Sequence, residues 1–236
     1  MIAIRSALYL IAFYLFTVPL CLSYLPLLLL PSHVMPPFAR IWVRGVLMLL
    51  RLICGLSWKV EGLEHLPPAP FIVAAKHQSA FETFAFQLVF PGLAFVLKQE
   101  LTWIPFFGWF LAKTGVIAID RAAGTRALKS MVTGAQVAKD QGRIILVFPE
   151  GTRVRPGQHT TYHTGIAMLY GSLGLPVVPV AVNTGLFWPK RAFLKQPGTI
   201  VLKILPPIQP GQDRKSFMTR LETEIETATN HLIEAS

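Results

Sequence analysis

An uncharged apolar run at the N-terminus is the feature that most constrains how this chain can fold. No Lys, Arg, Asp or Glu occurs between Ser6 and Ala39. Within that run, residues 7–30 are enough to cross about 30 Å of hydrocarbon as one α-helix. Pro19 and Pro26 would bend such a helix, so a re-entrant helical hairpin is the alternative. A cleaved signal peptide is disfavoured because the run is too long and lacks a clear small-residue cleavage site.

The overall composition also indicates a membrane protein with phosphate-bearing partners. Of the 236 residues, 53% are hydrophobic and 14% are charged, whereas soluble domains carry about 25% charged residues. The net charge is +10, from 22 Lys and Arg against 12 Asp and Glu, which suits nucleic acid or anionic lipid. Nucleic acid is not predicted, because the basic residues do not cluster with aromatic residues in a recognisable module.

The segment after the apolar run is predicted to be a helix over residues 41–58. Arg40, Arg44 and Arg51 would lie within about 40° of one another on that helix. We interpret it as an interfacial helix with its arginines facing lipid phosphates; a core helix with a solvated edge is the alternative. Because positive charge follows the first apolar segment, the main domain is expected on the cytoplasmic side of the membrane. The predicted division is therefore membrane-anchoring helices over residues 1–59 and a main domain over residues 60–236.

The main domain has the alternating pattern of an α/β fold. Short apolar runs predict strands over residues 71–75, 94–97, 116–119, 144–148, 177–182 and 199–205. Helical periodicity between and after them is clearest over residues 126–139 and 213–233. The predicted fold class is a mixed, mostly parallel sheet flanked by helices, preceded by a membrane-embedded helical segment.

A histidine and a glutamate follow the first predicted strand of this domain. His77 and Glu82 would lie about 140° apart on one continuous helix, so they meet only if His77 occupies the turn and Glu82 the first helical turn. Ser79 is the candidate N-cap at that junction. A meeting pair would let the carboxylate hold one imidazole nitrogen while the other accepts a proton. An incidental pair remains open on this pattern alone.

Basic residues follow several of the other predicted strands. Residues 148–153 read Phe-Pro-Glu-Gly-Thr-Arg, in which Gly151 permits a tight turn, and Thr152 and Arg153 are phosphate-binding types. Lys98 and Arg121 close two more strands, and all three cations would converge if those strands are neighbours. Each is otherwise an ordinary surface cation.

No metal site or disulfide is predicted from the remaining reactive side chains. His77 and Glu82 have no third ligand nearby. Cys21 and Cys54 both lie in apolar stretches without ligand spacing, so they are expected to be packed or lipid-facing.

Four ordered blocks resemble the motifs of the 1-acylglycerol-3-phosphate acyltransferase family, within the glycerolipid acyltransferase group. They are His77-x4-Glu82, residues 115–121, residues 148–153 and residues 177–183. The family pattern is His-x4-Asp, a Gly-x-x-Phe-Ile-x-Arg-like strand, Phe-Pro-Glu-Gly-Thr-Arg and a Val-Pro-Val-like strand. The chain departs from it at Glu82, where the family usually has Asp. The resemblance covers about residues 60–183, and the apolar N-terminus fits the family's membrane-anchoring helices.

The resemblance implies transfer of a fatty acyl chain from acyl-CoA or acyl-carrier protein to the sn-2 hydroxyl of lysophosphatidic acid. His77 would be the general base and Glu82 its orienting carboxylate, with backbone N–H groups at the helix start stabilising the oxyanion. The other implied site residues are Lys98, Arg121, Gly151, Thr152 and Arg153 for the substrate phosphate, with Ser79 and Glu150 in support. The implied partners are the acyl donor, the lysophospholipid and membrane lipids. The resemblance implies no metal or other cofactor, and it implies a location at the inner membrane.

Two other functions remain open from the sequence. The acceptor is alternatively glycerol-3-phosphate, another lysophospholipid or a lipid A precursor, because lipid A acyltransferases can also use His-x4-Glu. The chain is otherwise a non-catalytic membrane lipid-binding relative.

Overall fold

The computed structural model describes residues 1–236, and its N-terminus is a helical hairpin. Helix α1 (Ile2–Tyr24) continues into a 3-10 segment, Leu25–Leu29, after which α2 (Met35–Leu49) runs back alongside it. Across the hairpin, the Trp42 indole Nε1 donates to Thr17 Oγ1 at 3.0 Å. Residues 2–29 are long and apolar enough to cross a membrane, and only 6% of their most apolar window is buried inside the protein. That exposure is unlike the core helix of a soluble protein.

The predicted helix over residues 41–58 was wrong in its last four residues. A π-helical segment, Leu50–Cys54, follows α2, and Gly55 then adopts a left-handed φ of 69° that ends the helix. The chain continues directly as strand β1, Leu56–Glu61. Of the three predicted stripe residues, Arg44 and Arg51 are exposed and Arg40 is half-buried.

Six further strands match the predicted ones to within one or two residues at each end. Seven strands form one sheet in the order β1-β7-β6-β2-β5-β3-β4. All neighbours are parallel except β6 and β7, which are antiparallel. The mixed, mostly parallel sheet predicted from the sequence is therefore confirmed. The six are β2 (Ile72–Ala75), β3 (Ala94–Lys98), β4 (Ile117–Ile119), β5 (Ile145–Val147), β6 (Val177–Val182) and β7 (Gly198–Ile204).

Helices cover both faces of the sheet because successive side chains along each strand point to opposite sides. Val73 and Ala75 belong to a core shared with α1, α2 and α3, whereas Ile72 and Ala74 belong to a second core shared with α5, α6 and α8. The helices predicted over residues 126–139 and 213–233 are confirmed as α5 and α8. The helices of this domain are α3 (Phe81–Val89), α4 (Phe107–Lys113), α5 (Thr125–Asp140), α6 (Gly165–Leu173), α7 (Thr184–Phe187) and α8 (Arg214–Glu234).

A buried lysine packs between the N-terminal hairpin and the α/β domain. Lys195 lies in the loop before β7, and its ammonium is 5.4 Å from the Tyr9 ring centroid and 5.0 Å from that of Trp188. Its backbone N–H donates to Ser6 Oγ at 3.0 Å. The hairpin is thus held in one orientation relative to the sheet.

Candidate active site

The predicted pairing of His77 with Glu82 is present at the carboxyl end of β2. His77 lies in the turn after the strand, and Glu82 occupies the first turn of α3. His77 Nδ1 is 2.8 Å from Glu82 Oε1, and the glutamate side chain is fully buried. Because an ionised carboxylate only accepts hydrogen bonds, Nδ1 carries the proton and Nε2 presents its lone pair. His77 Nε2 has no hydrogen-bond partner within the protein.

The same carboxylate oxygen also organises the backbone of the turn. The N–H groups of Gln78 and Ser79 donate to Glu82 Oε1 at 2.8 and 2.7 Å. These two N–H groups are therefore engaged with Glu82, and oxyanion stabilisation by backbone N–H donors near the helix start stays a prediction. Glu82 fixes the imidazole and the loop that carries it in a single arrangement.

The predicted N-cap, Ser79, lies one residue before the residue that precedes α3, and its side chain makes the bond expected of a cap. The residue preceding α3 is Ala80, and no side chain caps the helix at that position. The Ser79 hydroxyl instead accepts from the Phe81 N–H at 3.1 Å. The Glu82 carboxylate accepts in turn from the Ser79 N–H, and its negative charge at the helix start is also favoured by the helix dipole.

Three contacts from the loop after β5 hold His77 in place. The Phe148 ring stacks on the imidazole at 3.9 Å between centroids, with 16° between the planes. The His77 N–H donates to Glu150 Oε2 at 2.7 Å, and the His77 carbonyl accepts from the Val154 N–H at 2.8 Å. Glu150 thus contacts the backbone of the histidine, and its supporting role stays a prediction.

Glu150 belongs to a buried charge network that reaches the C-terminal helix. Lys76 Nζ lies 2.7 Å from Glu150 Oε1 and 2.6 and 2.9 Å from the two oxygens of Glu226 on α8. The Tyr162 hydroxyl donates to Glu226 Oε1 at 2.9 Å. Burial raises the pKa of the Glu150 carboxyl, although the Lys76 ammonium opposes that rise. One buried cation is thereby shared between two carboxylates, which satisfies groups that are costly to bury unpaired.

The loop with the sequence Glu-Gly-Thr-Arg turns sharply at its glycine, as predicted. Gly151 has a left-handed φ of 64°, and a Cβ there would lie 2.7 Å from the ring of His163. An Arg121 guanidinium nitrogen donates to the Gly151 carbonyl. Lys190 Nζ donates to Thr152 Oγ1 at 2.9 Å and to the Arg153 carbonyl at 3.2 Å. Two cations therefore surround this loop besides its own arginine.

The three predicted cations differ in their contacts at this edge of the sheet. Strands β2, β5, β3 and β4 are parallel neighbours, so the residues after their carboxyl ends share one edge of the sheet. Arg121 contacts the loop directly, and Arg153 is half-buried beside the Val154 bond to His77. Lys98 instead forms an exposed ion pair with Glu100 at 2.5 Å.

Sequence reasoning missed Lys190, His163 and Glu226. Lys190 follows β6 and α7, so the rule that cations after parallel strands converge was sufficient to suggest it. His163 comes immediately before α6 and has no such signal. Glu226 lies next to the apolar stripe of α8, and only the tertiary fold brings it to Lys76.

The site lies within a chain that is similar to known acyltransferases. A family model described as Acyltransferase matches residues 57–183. The chain is 42% identical over 165 residues to the 1-acyl-sn-glycerol-3-phosphate acyltransferase of Pseudomonas aeruginosa, covering 70% of this chain and 64% of that protein. It is 35% identical over 164 residues to the enzyme of the same name in Saccharomyces cerevisiae, covering 67% of this chain and 54% of that one. The chain therefore spans less than two thirds of the length of these two relatives.

A solved structure resembles nearly the whole fold. The crystal structure of the 1-acyl-sn-glycerophosphate (LPA) acyltransferase PlsC from Thermotoga maritima superposes with a TM-score of 0.80 at 25% sequence identity. The match covers 98% of both chains, so it includes the N-terminal hairpin as well as the sheet.

Proposed function

Because the chain belongs to the acyltransferase family, as its four motifs predicted, we propose that it transfers a fatty acyl chain to the sn-2 hydroxyl of lysophosphatidic acid. The donor is acyl-CoA or acyl-carrier protein, and the product is phosphatidic acid. The observation that carries this proposal is an imidazole whose Nδ1 is held 2.8 Å from a buried carboxylate while its Nε2 is free to accept a proton. The names of the similar proteins support the choice of acceptor.

The reaction needs one proton relay and no acyl-enzyme. His77 Nε2 takes the proton of the sn-2 hydroxyl as its oxygen attacks the thioester carbonyl carbon. The tetrahedral intermediate then breaks its C–S bond, and the leaving thiolate takes the proton back from the imidazolium. Glu82 stabilises the transient imidazolium, and general-base assistance of this kind contributes about 10²–10⁴ in rate. Atoms and charge balance with the acyl donor as the sole co-substrate.

The acceptor phosphate is proposed to bind the cations at the carboxyl edge of the sheet. Arg121 and Lys190 already contact the Gly151–Arg153 loop, and a guanidinium fork suits phosphate oxygens geometrically. Lys98 joins this group by exchanging its Glu100 partner for the phosphate. Positioning the headgroup there would bring the neighbouring sn-2 hydroxyl towards His77.

A membrane location is proposed together with this acceptor. Attachment to an anionic lipid surface is supported by the apolar helix of residues 2–29. It is also supported by two exposed arginines, Arg44 on α2 and Arg51 in the π-helical segment after it. The charge that follows the first helix favours the cytoplasmic side of the inner membrane. No cofactor or metal is part of the proposal.

A donor and acceptor panel tests the proposal. Thiol release by the purified full chain is measured with acyl-CoA and with acyl-carrier protein, each against lysophosphatidic acid, glycerol-3-phosphate, another lysophospholipid and a lipid A precursor. Release that depends on lysophosphatidic acid and is fastest with it is expected. Faster release with another acceptor would reassign the substrate, and binding of phospholipid without release from any donor would leave a non-catalytic lipid-binding protein.

A further inference from the structure

The segment after β3 exposes an uninterrupted group of large apolar side chains. Five of them, here called the aromatic ridge, are between 40% and 66% exposed: Trp103, Ile104, Phe106, Phe107 and Trp109. Single exposed apolar residues are ordinary on protein surfaces, but several large ones within seven residues of chain are typical of an interaction site. Four of the five are aromatic, and two are tryptophans, the residue most typical of the boundary between lipid and water.

The backbone beneath the ridge is a defined structure. The Phe107 N–H donates to the Pro105 carbonyl at 2.7 Å, which closes a γ-turn at Phe106 with φ 62° and ψ −64°. Such turns are strained and rare. Gly108 packs so closely that a Cβ would lie 2.3 Å from the Thr102 carbonyl oxygen. The chain therefore presents the ridge through close backbone packing that only glycine permits.

The ridge is joined directly to the membrane-directed hairpin. The Phe107 ring lies 6.4 Å from that of Trp42 on α2, the same residue that donates to Thr17 on α1. Lys113, at the end of α4, donates from Nζ to the Leu30 carbonyl at 2.9 Å. Leu29 beside it is 90% exposed at the tip of the apolar helix. The exposed surfaces of the hairpin and the ridge are thus adjacent.

The position of the ridge in the chain connects it to the catalytic edge. It begins five residues after Lys98, which ends β3 on the same edge of the sheet as the Gly151–Arg153 loop. A lipid that enters from the ridge would therefore reach the phosphate-binding cations from the membrane side.

We propose that the aromatic ridge inserts into the lipid–water interface as a second attachment beside the hairpin, and that it holds the catalytic edge towards the bilayer. The occupant is a phospholipid surface. The ridge adjoins the helix that is long and apolar enough to cross a membrane. Its tryptophans and the lysines at both ends of the segment also favour lipid over a protein partner. The inference rests on the proposed function in so far as the acceptor is a membrane lipid.

Depth-dependent quenching tests the insertion directly. The variant Trp103→Cys is prepared in a background with Cys21→Ala and Cys54→Ala, labelled with an environment-sensitive fluorophore, and reconstituted in phosphatidylcholine vesicles containing phosphatidylglycerol. Val137→Cys is the matched control, because Val137 is a similarly exposed apolar residue on α5. Label at residue 103 is expected to be quenched by nitroxide-bearing acyl chains well above the level at residue 137. Equal quenching at the two positions would overturn the proposal.

An activity measurement separates this inference from the proposed function. Trp103→Ser is expected to raise the apparent KM for lysophosphatidic acid in vesicles by roughly 3- to 10-fold. The reason is that it removes one partly inserted aromatic side chain from the lipid. Its KM for a short-chain, water-soluble lysophosphatidate should stay within about 2-fold of the wild type. An unchanged KM for lysophosphatidic acid in vesicles would contradict insertion of the aromatic ridge and would leave the proposed acyl transfer untouched. Quenching at residue 103 together with no thiol release on any acceptor would contradict the proposed acyl transfer and would still support insertion of the ridge.

Discussion

The imidazole of His77 is held on three sides by neighbours that leave one nitrogen free. Glu82 accepts from Nδ1, the Phe148 ring lies flat against one face, and the backbone is bonded through Glu150 and Val154. A general base needs this kind of fixed orientation, because small displacements of reacting groups cost rate steeply. The extra methylene of Glu82 relative to aspartate is accommodated while its Oε1 still accepts from the histidine and two backbone N–H groups.

The phosphate-binding role of Lys190 can be tested at the scale of one residue. Its Nζ already contacts Thr152 and the Arg153 carbonyl, so Lys190→Ala should remove a cation beside the acceptor phosphate. Charge-assisted hydrogen bonds of this kind contribute about 1.5–3 kcal/mol, so the KM for lysophosphatidic acid should rise by roughly 10- to 100-fold. The KM for the acyl donor should be unaffected.

The control for this variant is Lys129→Ala, which removes an exposed lysine from α5, away from the catalytic edge. Steady-state kinetics with each substrate varied in turn give the comparison. Equal effects of the two variants on the acceptor KM would show that only overall charge matters and would remove Lys190 from the site.

At the scale of elements, α8 supports the catalytic turn although it is about 150 residues away in the chain. Glu226 on this helix binds Lys76, Lys76 binds Glu150, and Glu150 holds the His77 N–H. The helix is positioned by its apolar face, in which Phe217, Leu221 and Ile225 are fully buried. Packing of the C-terminal helix is thus linked to the geometry of the general base.

We predict that Glu226→Ala lowers kcat by about 10-fold or more with little change in either KM. Removing Glu226 leaves the Tyr162 hydroxyl and part of the Lys76 ammonium unpaired in a buried site, which costs about 1–3 kcal/mol per group, and the network is expected to rearrange around His77. Glu226→Gln keeps an acceptor at this position and should recover much of the lost rate.

Glu224→Ala is the matched control, since Glu224 lies two residues away on α8 and pairs with Arg220 at the surface. Thermal melting of each variant is measured alongside the kinetics. A purely structural role for Glu226 would lower the melting temperature and leave kcat unchanged, and that result would contradict the positioning role.

The sequence predicts most elements because their signals are local. The runs that became β2 to β7 are apolar and bounded by turn residues, and the stripe of α5 is regular. Strand β1 was missed because it follows α2 and the π-helical segment after only Gly55, and its apolar residues continue the helical pattern. The helix start at Ser79 was predictable because its signal is local: Ser79 accepts from the Phe81 N–H, and Glu82, three residues later, accepts from the Ser79 N–H.

At the scale of the whole molecule, strand order decides which predicted residues meet. The motifs indicate that cations follow several strands, but only the order β2-β5-β3-β4 makes their carboxyl ends adjacent. Arg121 therefore reaches the Gly151 carbonyl across the position of β3, whereas Lys98 lies at the same edge and pairs with Glu100. The buried network depends on contacts between distant parts of the chain, such as Glu226 with Lys76, which no local sequence pattern encodes.

The central claim is that His77 acts as general base in acyl transfer, and acceptor-dependent thiol release by the purified full chain tests it most directly. With acyl donor and lysophosphatidic acid, His77→Ala is predicted to release thiol about 10²–10⁴ times more slowly than the wild type. Its circular dichroism, melting temperature and partition into vesicles should match the wild type, because Glu82 still accepts from the backbone N–H groups of the turn. A variant that is folded, membrane-bound and nearly as fast as the wild type would contradict the account.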